Sequence, residues 1–355
     1  VKNGRARAVL LAVAFLAAGC GPQVRRSPGP AAVAAAFIAG GGMDQAEADR
    51  LEKVLEKSFT DEEARLKLIG YYEQRRYTSE LGRPHYIEHV LYFVKNRQES
   101  EIHRMAVVTL LGDGIASYDL AKKLWLEQAD GAGAENAAIV ANASHFFASS
   151  DDVENAERLL FRALGLAGKT PEPHRDLGVL YFFPAVARKA GNRDLAVRRA
   201  LEELDKAYAL AVNREQKFQV LIELARGSFS AGSVAKSEEY VKKLLDEAGG
   251  FTSHWRYGEA MHTADTIRGH LAFMRGKTDE AKEMLLASAR VPPSPRLVAW
   301  GPEFSLASDL MAKGEKAAVA EYLELVGKFW RREAVLERWK KDMAEGRNPD
   351  FGSRF

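Results

Sequence analysis

The sequence predicts an all-α protein, an α-solenoid of stacked helical hairpins. Three observations carry this expectation. From Met43 onward apolar residues recur at helical spacing almost without interruption. Helix-start signals repeat along the chain, as at Asp44 with Glu47, Thr60 with Glu63, and Asn213 with Gln216. Small and apolar residues also return in one fixed ladder, the mark of an internal repeat. Alternating β-branched runs bounded by tight Asn-Gly or Asp-Gly turns are missing, so no β-sheet is expected.

The first element is an N-terminal segment, 1–19. Lys2, Arg5 and Arg7 precede the apolar run Ala8–Ala18. As a helix that run would span about 16 Å, roughly half of a ~30 Å hydrocarbon core, so it reads as an export signal. Ala17, Ala18 and Gly19 lead into Cys20, the chain's one cysteine. This stretch resembles the lipobox of bacterial lipoproteins, with Ala17 where leucine is usual. The resemblance implies acylation of Cys20 and a lipid bilayer as one partner. Gly21, where aspartate would favour inner-membrane retention, points to the periplasmic face of the outer membrane. Residues 20–43 read as a flexible tether, from Pro22, Pro28, Pro30 and the Gly40–Gly42 run, with Ala31–Ala39 able to form a short helix.

Residues 44–132 are expected to form helical hairpins of irregular spacing. ADRLEKVLEKSF places Leu51, Val54, Leu55 and Phe59 on one stripe, and ARLKLIGYYEQRR sets Gly70 as the small residue of a first helix. Residues 133–327 hold the ladder. Gly269, Gly276, Ala281, Leu285 and Ser288 follow one another at steps of seven, five, four and three. The same steps run through Ala225, Gly232, Ser237, Val241 and Leu244. They run again through Ala307, Gly314, Val319, Leu323 and Val326, and through Ser144, Asp151, Ala156, Leu160 and Ala163. A small residue lets the second helix approach, a left-handed residue ends the first, and the last three share one inward face. Leu177, Gly178 and Tyr181 add a fifth first helix, whose second-helix trio is Ala200, Leu204 and Ala207. The pattern resembles the tetratricopeptide repeat in degenerate form, with insertions between copies. Residues 328–345, with Phe329, Leu336, Trp339 and Met343, read as a capping helix, and 346–355 as a tail.

The charge balance, 51 basic against 49 acidic residues for a net +2, carries no basic excess and predicts no nucleic-acid partner. His85, Glu88 and His89 spell the H-x-x-E-H order of inverzincin metallopeptidases. Neither an α/β context nor a convincing third ligand accompanies it; His103 is merely nearby. His262 and His270, with Asp265 between them, share a helix face, and Glu99-Ser100 matches a lytic-transglycosylase dipeptide without its following stretch. The expected catalytic, metal and cofactor sets are therefore empty. What remains is a non-enzymatic scaffold, lipid-anchored in the bacterial envelope, that binds other envelope proteins or peptides. A glycan- or solute-binding surface lipoprotein is the alternative, and a metallopeptidase using His85, Glu88 and His89 the remote one. Aromatics in irregular segments mark the candidate binding surface: Tyr181, Phe182 and Phe183 before Pro184, then His254, Trp255 and Tyr257, and Trp300.

Overall fold

Helices follow one another through the chain, and no strand occurs among the described residues. The computed structural model describes residues 28–79, 82–105, 110, 114–183, 186 and 191–352. Cys20, the export signal and Pro184 lie outside them. The N-terminal part comprises α1 (Pro30–Gly41), α2 (Gln45–Lys57), α3 (Glu62–Glu73) and α4 (Gly82–Asn96), then a 3-10 turn at Glu101–Met105 and α5 (Ile115–Asp130). Next come α6 (Ala137–Ala148), α7 (Val153–Ala167), α8 (Pro171–Tyr181), α9 (Arg193–Leu210), α10 (Arg214–Ser230) and α11 (Val234–Ala248). The series ends with α12 (Tyr257–Met274), α13 (Thr278–Ala289), α14 (Pro295–Trp300), α15 (Ser305–Ala312), α16 (Lys316–Val326) and α17 (Glu333–Ala344).

Local chemistry starts these helices. Asp44 accepts from the Glu47 amide at 2.9 Å, and Asn213 from the Gln216 amide at 2.9 Å. The cap of α3 is Asp61 rather than Thr60, because its carboxylate reaches the Ala64 amide at 3.0 Å. Since α2 ends at Lys57, Phe59 leaves the predicted stripe and stands 62% exposed, while Leu51 and Leu55 are buried.

Each ladder is a helical hairpin. The pairs α6–α7, α8–α9, α10–α11, α12–α13 and α15–α16 pack against each other, giving a solenoid of stacked hairpins. Ala281, Leu285 and Ser288 are buried on α13, as are their counterparts Ala156, Leu160 and Ala163 on α7 and Val319, Leu323 and Val326 on α16. The turn positions are left-handed, with φ of 70° at Gly232, 74° at Gly276 and 95° at Gly314. Asp151, at the same ladder position, has φ 57° and is the one described non-glycine residue with positive φ.

Two parts of the chain differ from expectation. The segment read as a tether contains α1, whose Val33, Ala34 and Phe37 are buried against α3. Glycines permit the contact: a Cβ on Gly40 would lie 1.8 Å from the Lys67 carbonyl oxygen, and one on Gly70 2.0 Å from that of Phe37. At the other end, the capping helix begins only at Glu333. Residues of the expected tail fold back: Phe351 stacks on Phe304 at 5.7 Å, and the Trp339 indole N–H donates to the Asp350 carbonyl at 3.1 Å. Aromatic burial around Phe304, Trp330 and Trp339 draws that tail in.

The array also closes on itself. Gln74, at the end of α3, donates to the Val298 carbonyl at 2.6 Å and accepts from the Arg331 amide at 3.1 Å. Arg332 donates to Glu73 at 3.0 Å in a buried ion pair. The first helices of successive hairpins therefore surround an interior cavity system.

Candidate metal centre

Glu52 lies on α2, one residue beyond the buried Leu51, and is half-buried. His85 and His89 stand one turn apart on α4, on the face toward α2 and α3. One carboxylate oxygen, Glu52 Oε1, is the hub of the cluster. His85 Nδ1 lies 3.2 Å from it, His89 Nε2 3.1 Å, and the Tyr72 hydroxyl on α3 donates to it at 2.8 Å. One ligand atom from each of Glu52, His85 and His89 falls within 4.8 Å of the others. Ligands bound tetrahedrally at about 2.0–2.1 Å stand roughly 3.3 Å apart, so a zinc-class ion fits with small adjustment.

The two histidines differ. His89 is fully buried, with Arg65 Nη1 3.1 Å from its Nδ1. A guanidinium only donates, so Nδ1 accepts, and the ring proton sits on Nε2 facing Glu52. His85 Nδ1 is buried yet makes no hydrogen bond, because its approach to Glu52 is close but poorly aligned. A buried ring nitrogen with no hydrogen bond, beside a carboxylate, is a donor set that suits a cation. Tyr72 stacks on the His85 ring at 5.0 Å with planes 9° apart, fixing its orientation. Burial works against the Glu52 charge, yet hydrogen bonds from His89 and Tyr72 hold its carboxyl below the ordinary value. Burial, then the Glu52 carboxylate, pushes the Tyr72 phenol well up, so it stays a donor.

This cluster corrects the expectation of an empty metal set and of a non-enzymatic scaffold. The acidic member of the candidate set is Glu52, not the Glu88 of the H-x-x-E-H motif, which faces solvent. His103 is elsewhere, donating to the Arg97 carbonyl at 3.1 Å. Glu99 accepts from the side-chain amide of Asn136, the N-cap of α6, and Ser100 is buried in the core. Sequence reasoning missed Glu52, Tyr72 and Arg65, because helix packing alone brings them to α4.

The sequence-marked aromatics scatter. Tyr181 is buried and donates to Glu157 at 3.0 Å; Phe182 and Phe183 pack on the core. Tyr257 packs into the α10–α12 core. His254 stacks on Trp255 at 5.6 Å. Trp255 and Trp300 line adjacent interior cavities. His262 and His270 are buried on α12, their ring nitrogens already engaged: His262 with the Ser288 carbonyl and Glu303 amide, His270 with Ser305 and Asp309.

No family model and no curated protein matches this chain. Nine chains of solved structures match, among them a human IFIT1 dimer with m7Gppp-AAAA. That chain is 18% identical, with a TM-score of 0.47 over 84% of this chain and 67% of its own. A likeness of this degree speaks to no function. The identification as a bacterial lipoprotein finds no support in these comparisons, and the residues it rests on lie outside the described ones. The lipid-anchored envelope location and the envelope partners rested on that identification and are withdrawn with it. The exclusion of nucleic acid is withdrawn as well, because it rested on total charge alone, which averages over every surface of the chain. Among the described residues no helix is long and apolar enough to cross a membrane.

Proposed function

We propose that this helical-repeat protein binds a divalent transition metal through Glu52, His85 and His89 and uses it in hydrolysis, peptide bonds being the first substrates to assay. The observation that carries the reading is the convergence of three ligand atoms within 4.8 Å, one of them a buried nitrogen with no hydrogen bond. Three protein ligands leave a fourth position open, the pattern of catalytic rather than structural zinc. A bound ion would supply Lewis-acid polarisation of a water or carbonyl in that position. His85 and Glu52 are partly exposed, so a substrate can reach it. Tyr72 orients both ligands.

The reading requires one rearrangement. Coordination at His89 Nε2 moves the ring proton to Nδ1, so Arg65 must release that nitrogen. Its remaining hydrogen bonds, to the Phe59 carbonyl at 3.0 and 3.1 Å, can persist. Elemental analysis of purified protein dialysed against zinc tests the proposal. About one zinc per chain is expected, lost in Glu52→Gln and in His89→Gln. Unchanged, substoichiometric metal in all three proteins overturns it. Casein or peptide cleavage that is inhibited by chelators and absent in Glu52→Gln supports the hydrolytic step.

A further inference from the structure

The interior of the closed array contains two adjoining cavities, of about 290 and about 240 Å³, which share Arg226, Glu259 and Arg296. None of Glu52, His85 and His89 lines either cavity. The smaller cavity is lined by five arginines, Arg104, Arg175, Arg226, Arg256 and Arg296, with Trp255 beside them. Acidic residues balance these charges, so what distinguishes the cavity is how the donors and acceptors are used.

Three deeply buried carboxylates are each engaged on both oxygens. Asp176 accepts from Arg175 at 2.9 and 3.1 Å on one oxygen and faces His145 Nε2 at 3.0 Å on the other. Glu223 accepts from Arg256 at 2.5 Å and from Arg226 at 2.6 Å, one on each oxygen. Glu259 accepts from Arg226 at 3.0 Å and from Arg256 at 2.9 and 3.1 Å. Glu172, at the edge, accepts from Gln216 at 3.1 Å. Glu101 is the remaining acid and stands 4.0 Å from Arg104.

The donors are in surplus. Arg296 makes no hydrogen bond; its nearest acid is Glu259 at 3.6 Å, and its side chain is 48% exposed. Arg104 makes none either, with Asp176 at 3.8 Å and a buried Nε that has no partner. The Trp255 indole N–H is likewise buried without an acceptor. Each guanidinium offers five N–H groups in a planar fork that matches carboxylate or phosphate oxygens. An acceptor-rich molecule would satisfy groups that the protein leaves unsatisfied.

We propose that this cavity is a binding site for a small organic anion, held through carboxylate or phosphate oxygens by Arg104 and Arg296 and flanked by Trp255. The like charge of Arg226, then burial, weakens the hold of Arg296 on its proton, and an anion between the two would relieve that repulsion.

Isothermal titration of the full chain with citrate and, separately, with inorganic phosphate tests this, using potassium chloride at matched ionic strength as the blank. Saturable binding of at least one probe is expected. Arg104→Gln and Arg296→Gln should each weaken it by about tenfold or more, whereas Arg290→Gln, at an exposed pair with Glu321, should leave it unchanged. Stronger binding of phosphate assigns a phosphorylated ligand, and stronger binding of citrate a polycarboxylate. Both cavity variants retain the hydrogen bonds among Arg175, Arg226, Arg256 and the three buried carboxylates, so circular dichroism should report native helix. Failure of both probes to exceed the chloride blank, or binding unaffected by both variants, overturns the proposal.

Discussion

Replacing Gly70 with alanine is expected to destabilise the protein, while the same change at Gly165 stabilises it. Both glycines lie in helices, α3 and α7, where alanine is intrinsically preferred by ~1 kcal/mol. Their surroundings decide the sign. A Cβ on Gly165 meets nothing within 4 Å, so Gly165→Ala should gain about 0.5–1 kcal/mol. A Cβ on Gly70 would stand 2.0 Å from the Phe37 oxygen and 3.1 Å from the Gly41 nitrogen. Ordinary contact begins near 3.4 Å, so α1 must withdraw by more than about 1 Å. A gap of that size forfeits roughly a quarter to a half of each dispersion contact along Phe37 and Val33, both fully buried. Overpacking of this kind costs about 1–3 kcal/mol, occasionally more, which outweighs the propensity gain. Urea titrations followed by circular dichroism would read both variants against the parent. A Gly70→Ala midpoint at or above that of the parent, with unchanged slope, would refute the packing of α1 on α3.

Three further outcomes are expected. Gln74→Ala leaves the Val298 carbonyl and Arg331 amide without their partner, a loss of about 2–4 kcal/mol. Hydrogen exchange should then show the Arg331 amide deprotected, and retained protection would contradict the closure. His262 donates from Nδ1 to the Ser288 carbonyl and accepts at Nε2 from the Glu303 amide, so it must stay neutral when folded. Burial holds its pKa down to about 4, below the ~6.5 of an unfolded chain, so the unfolded state binds more protons between those values. This contribution is whole above about pH 6.5 and is lost as pH falls toward 4, by up to ~1.4 kcal/mol per pH unit. Urea midpoints across that range should fall less steeply in His262→Gln. Finally, Arg65→Met frees His89 Nδ1 from a charged donor worth ~1.5–3 kcal/mol, so zinc affinity should rise about tenfold or more, as read by competition with a chromogenic chelator.

The repeat hairpins were legible because their chemistry is local. Turn residues such as Gly276 and the inward trio Ala281, Leu285 and Ser288 are fixed by spacing along one hairpin. Asp151 was legible as a turn only because three sister ladders place glycine there. The α1 helix was obscured by the prolines and glycines around it, since Gly40 marks a close helix crossing as readily as a tether. The docking of Phe351 depends on an aromatic cluster assembled from distant positions. The metal candidate was half legible. His85 and His89 share a helix face by spacing, but Glu52 lies 33 residues earlier on another helix. Total charge likewise concealed the arginine-lined interior, since pairing across helices is a tertiary property.

Open helical arrays tolerate gain or loss of a unit, because each unit touches only its neighbours. The Gln74 bridge removes that freedom here. Inserting or deleting one hairpin between α4 and α14 would carry Val298 and Arg331 away by about a helix diameter, ~10 Å, far beyond the reach of an amide side chain. The number of units is thereby locked to the circumference, and melting at one point should propagate around the whole circuit instead of stopping at the next boundary.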